Sequence, residues 1–80
     1  MHVAVELSFY PLADEFIPPI LDFIERLNQR PGITVVTNSM STQVSGDYDV
    51  VFEALRAELR ASLSAPRRAV FVMKVLGGGD

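Results

Sequence analysis

Glu6, Ser8 and Tyr10 alternate with Val5, Leu7 and Phe9, and farther along runs Thr37-Asn38-Ser39-Met40-Ser41-Thr42-Gln43-Val44-Ser45-Gly46-Asp47-Tyr48-Asp49, hydroxyls and amides set between two apolar segments. A small chain cannot bury so many short polar side chains unless each finds a hydrogen-bond partner. The run therefore either builds a turn or holds a polar ligand. Brought beside Glu6, Ser8 and Tyr10, the side chains of Thr37, Asn38, Ser41 and Thr42 would suit a small, flat, nitrogen-rich or cationic molecule. The carboxylate accepts from ring or amino N–H groups, the hydroxyls and the amide fix orientation, and Tyr10 or Phe9 gives a stacking wall. The alternative stays open that Glu6 and Ser8 solvate a bare sheet face and that Asn38 and the serines satisfy turn geometry.

Other chemistries find little support. The 80 residues include no Cys and one His, His2, so a catalytic triad, a thiol nucleophile and a zinc site built from cysteines or several histidines are all excluded. Asp47 and Asp49 suit helix capping better than a cation site, and the pair Arg67-Arg68 reads as a solvated loop. With isolated acids and no activated nucleophile, the expectation is binding rather than catalysis, with no metal and no cofactor beyond a bound ligand. A net charge of -3 argues against a phosphate backbone as partner. The apolar runs are far short of the roughly 20 residues that span a bilayer, and no targeting segment is read, so membranes are not expected. The lack of cysteine fits a cytoplasmic protein.

The elements that must position these residues follow from periodicity. Residues 2–10 alternate as a half-buried strand, Val3, Val5, Leu7 and Phe9 on one face and Ala4, Glu6, Ser8 and Tyr10 on the other, with Pro11 ending it. Over residues 16–30, Ile17, Ile20, Leu21, Ile24 and Leu27 fall at helical spacing, and Pro18 and Pro19 are tolerable only in the first turn. The β-branched stretch 33–37 and a short strand at 42–45 read as a hairpin. A helix capped by Asp47 or Asp49 runs to about residue 63, with Val51, Leu55 and Leu59 as its stripe, Ala54, Ser62 and Leu63 beside them, and Glu53, Arg56, Glu58 and Arg60 outside. A last strand covers 69–76, and 77–80 reads as a flexible tail. The order β-α-β-β-α-β, in one domain over residues 1–80, predicts a ferredoxin-like α+β fold: a four-stranded antiparallel sheet with both helices on one face and the first and third strands central.

In that fold the last strand is apolar on both sides, with Lys74 as its lone charge, and the second strand lacks edge protection. Both point to a homodimer or homotetramer formed through sheet faces and edges. Three segments, 6–12 (Glu-Leu-Ser-Phe-Tyr-Pro-Leu), 37–49 and 70–75 (Val-Phe-Val-Met-Lys-Val), together resemble the YkoF-type family of thiamine and hydroxymethylpyrimidine binding domains. The resemblance implies a ferredoxin-like domain that assembles through its sheets and binds thiamine or its pyrimidine precursor without chemistry. Carried over residue by residue, it favours Thr42, Ser41 and Asn38 as contacts, then Glu6 and Ser8 as polar partners, with Tyr10 as a wall. The name-giving member carries two such domains in tandem, and a homodimer of this chain recreates the pair. The competing expectation is a structural or regulatory oligomerisation module with no small-molecule ligand.

Overall fold

The computed structural model describes residues 1–78. Six elements follow in the order β1 (His2–Pro11), α1 (Ile17–Asn28), β2 (Ile33–Thr37), β3 (Thr42–Asp47), α2 (Tyr48–Leu63) and β4 (Ala69–Gly77). The strands form one antiparallel sheet in the order β2-β3-β1-β4, with β1 and β3 central as expected. The architecture is the ferredoxin-like one that the periodicities predict.

Strand alternation decides where the core sits. Val3, Val5, Leu7 and Phe9 of β1 and Val44 of β3 are buried against Phe23 and Leu27 of α1 and Val51 and Leu55 of α2. Phe9 anchors this layer, stacked on Phe71 with ring centroids 4.2 Å apart and edge-on to Phe23 at 5.6 Å. Such ring pairs add about 0.5–1.5 kcal/mol beyond the area they bury. The opposite face carries Ala4, Glu6 and Ser8, half-buried, and Tyr10, exposed.

Several expectations need correcting. β1 runs on through Pro11, which pairs with Ala69, because an edge-on ladder to β4 continues where β3 has ended. β3 extends to Asp47, and Gly77, expected in the tail, is the last residue of β4 and pairs with Val3. Residues 79–80 of that tail lie outside the described residues. Helix α1 spans 17–28 rather than 16–30, its prolines in the first turn. Its buried side is rotated: Phe23 is 1% exposed while Ile17 and Leu21 are 52% and 59% exposed. In α2, Leu63 is exposed, and Glu58, expected outside, is buried. Asp47 is the N-cap, its Oδ2 accepting from the Asp49 amide at 3.2 Å. Gly46, just before it, has φ +151°, a conformation that L side chains rarely adopt, and a Cβ there would lie 3.1 Å from the Gly32 carbonyl oxygen, so a side chain at this position would be strained and would press on the α1–β2 turn.

Candidate functional site

The site arises from a mismatch in strand length. Pairing of β3 with β1 stops at Thr42 opposite Leu7, whereas β1 keeps pairing with β4 as far as Pro11. Residues 8–11 of β1 therefore face the tip of the β2–β3 hairpin, residues 38–41, across a notch in the sheet. The tip is a self-contained turn: the Asn38 amide donates to the Ser41 carbonyl at 3.0 Å, and Asn38 Oδ1 accepts from the amides of Met40 and Ser41 at 2.8 and 2.9 Å. Asn38 thus does the turn work expected of Asn in such loops. Two contacts tie the tip to β1, Ser8 Oγ donating to the Met40 carbonyl at 3.5 Å and Ser41 Oγ donating to Glu6 Oε2 at 3.3 Å.

The notch has a recess on each side. Toward the helices lies a cavity of about 130 Å³ with an apolar floor of Leu7, Phe9 and Phe23, walls of Ile20 and Ile24 from α1, and a polar rim of Thr37, Asn38, Ser39, Ser41 and Thr42. Thr42 faces this side because it pairs with helix-facing Leu7, and its hydroxyl lies 3.3 Å from that of Thr37. Each hydroxyl has one proton and two lone pairs, so the pair keeps donor and acceptor capacity for a third group. On the open face a shallower recess of about 330 Å³ is lined by Glu6, Ser8, Tyr10 and residues 38–41. A broader depression of about 640 Å³ adjoins it across Glu6, Gln43, Lys74 and Leu76.

Of the residues singled out from the sequence, Glu6, Ser8, Tyr10, Asn38 and Ser41 meet in the open-face recess. Thr42 is turned to the other face, where it is 5% exposed. Sequence reasoning brought Thr37 to the site with the other hairpin residues, but left out Ile20, Ile24 and Phe23. Strand parity signals Thr37, since it lies directly opposite Thr42 in the hairpin.

Away from the notch, Glu58 of α2 joins the helices. It accepts from Arg26 Nε through Oε1 and from Arg30 Nε through Oε2, both at 2.8 Å, while Arg26 also donates to Ser62 Oγ at 2.6 Å and pairs with Asp22. Burial pushes the Glu58 carboxyl up, but the hydrogen bonds and charges of Arg30 and Arg26 outweigh it and hold the group below its ordinary value. Among the described residues no cluster of His, Asp and Glu suits a metal ion, and no helix is long and apolar enough to cross a membrane.

Solved structures share this fold. A hypothetical protein from Methanocaldococcus jannascii superposes with a TM-score of 0.83 at 26% identity, over 99% of this chain and 82% of its own. A Streptococcus pneumoniae protein gives 0.84 at 21% identity, over 99% and 89%. A Thermotoga maritima protein proposed to act in thiamine biosynthesis or salvage gives 0.81 at 17% identity, over 94% and 82%. No curated protein matches this chain significantly. A family model does match, over residues 2–73, and by that match the chain belongs to the YkoF-related family.

Proposed function

We propose that this protein binds thiamine or its hydroxymethylpyrimidine moiety, without chemistry on it, as a cytoplasmic carrier, buffer or salvage accessory. The observation that carries the reading is the helix-side cavity, whose volume of about 130 Å³ is close to that of an engineered protein cavity, about 150 Å³, that holds one benzene ring. One six-membered ring fits against the floor of Leu7, Phe9 and Phe23, with its nitrogens and amino group toward the hydroxyls of Thr37 and Thr42. The rest of a larger ligand projects through the mouth. The family, and the role proposed for the Thermotoga maritima protein, support a thiamine-related ligand. Isothermal titration with hydroxymethylpyrimidine and with thiamine tests the reading. Saturable binding is expected, weakened about fivefold or more by Thr42→Val, since one hydrogen bond is worth about 1 kcal/mol. An affinity untouched by that substitution would remove Thr42 from the site.

A second reading is favoured by β4. Val70, Val72 and Leu76 are exposed on the open face, and Met73 and Val75 on the helix side. An edge strand with exposed apolar side chains on both faces is what a self-association surface looks like. On this reading the protein is an oligomerisation module, a homodimer or homotetramer through sheet faces and edges, indifferent to small molecules. A rise in melting temperature with saturating thiamine would count against it.

A further inference from the structure

Glu6 is a carboxylate with capacity to spare. Its Oε2 accepts one hydrogen bond, from Ser41 Oγ at 3.3 Å, and its Oε1 faces Lys74 Nζ at 3.8 Å. That ion pair is loose: the Lys74 side chain is 82% exposed and can swing into solvent, whereas the Glu6 side chain is only 44% exposed and is fixed on a central strand. The Ser8 hydroxyl and, four residues along the same face of β1 from Glu6, the Tyr10 ring line the same recess, Ser8 itself engaged with the Met40 carbonyl. A negative charge and an aromatic ring lining one concavity of about 330 Å³ are together suited to attract a flat organic cation. The charge supplies the field and the ring face supplies a cation–π contact, worth about 0.5–1 kcal/mol at an exposed site.

We infer that the Glu6, Ser8, Tyr10 and Ser41 recess on the open face is a binding subsite for a planar organic cation, separate from the helix-side cavity. Glu6 is its charge determinant and Tyr10 its stacking wall, and the cation displaces the Lys74 ammonium. The two recesses flank one hairpin tip, so a ligand of two linked rings, one neutral and one cationic, would engage both. That last step rests on the reading of the helix-side cavity given above, whereas the cation subsite itself does not.

The test uses the full chain and an isosteric pair of probes, N-methylpyridinium and pyridine, in mildly alkaline buffer where pyridine is uncharged. Amide NMR shifts of Glu6, Ser8, Tyr10 and Ser41 should move saturably with N-methylpyridinium and not with pyridine. Glu6→Gln, which keeps the shape and an acceptor for Ser41, should weaken the cation about threefold to tenfold. Equal response to both probes, no saturation, or an unchanged affinity in Glu6→Gln would overturn the inference. Titrating thiamine and hydroxymethylpyrimidine into the same variant separates the two claims. Loss confined to the cationic thiamine supports the linked site, and equal loss of both ligands contradicts it. Failure of both ligands to bind the unaltered protein, with the pyridinium result intact, removes the thiamine reading and leaves the cation subsite standing.

Discussion

At the scale of the residue, Glu58 sits on the same stripe of α2 as Val51, Leu55 and Ser62, and its burial is made tolerable by Arg26 of α1 and Arg30 just beyond the end of that helix. Because its folded carboxyl titrates below its ordinary value of 4.5, the folded state binds fewer protons there than the unfolded state. The stabilisation is complete above the ordinary value and is lost as pH falls through the folded one. Urea midpoints measured from neutral pH down to strongly acidic pH should therefore decline on acidification. Glu58→Gln should lower stability at neutral pH by roughly 1–2 kcal/mol and flatten that decline. An identical pH profile in the variant would remove Glu58 as its source. Thr42 raises the matching question in the site, where a hydroxyl exchanged for a methyl should leave folding nearly unchanged and weaken the ring's binding.

At the scale of the element, the rotation of α1 decides which residues form the cavity wall. Ile20, Ile24 and Leu27 centre one stripe, with Phe23 on one flank and Ile17 and Leu21 on the other, and apolar spacing alone favours neither flank. The three phenylalanines settle it, since Phe23 closes a cluster with Phe9 and Phe71 that Leu21 would leave open. Phe23→Ala should cost about 3–5 kcal/mol in denaturant unfolding, and Leu21→Ala less than about 1 kcal/mol. Similar losses would mean a different helix rotation. The same limit applied elsewhere. The order of elements, the central strands and the polar hairpin were legible because alternation and β-branching are local signals. The burial of Glu58 was not, because its partners, Arg26 and Arg30, come from α1 and the loop that follows it. The split of the site into two recesses was not either, because the face on which Thr42 lies depends on its register against Leu7, and a shift of one residue would reverse it.

At the scale of the whole molecule, helices α1 and α2 pack over β1, β2 and β3, while β4 offers apolar side chains on both faces along its outer half. Association through β4 would bury Val72, Val75 and Leu76. Light scattering should then give a multiple of the 8.8 kDa chain mass, and Val72→Glu combined with Leu76→Glu should return the monomer, since like charges would face each other in a symmetric contact. A monomer in the unaltered protein would leave β4 without that role. The notch between β1 and the hairpin tip is built within one chain, so the proposals of ligand binding there and of assembly through β4 can be tested separately. The most direct measurement is a crystal structure grown with hydroxymethylpyrimidine at saturating concentration. The account predicts density for one six-membered ring in the helix-side cavity, against Phe9 and Phe23, its polar edge toward Thr37 and Thr42; a ring bound elsewhere, or a helix-side cavity empty at saturation, would contradict it.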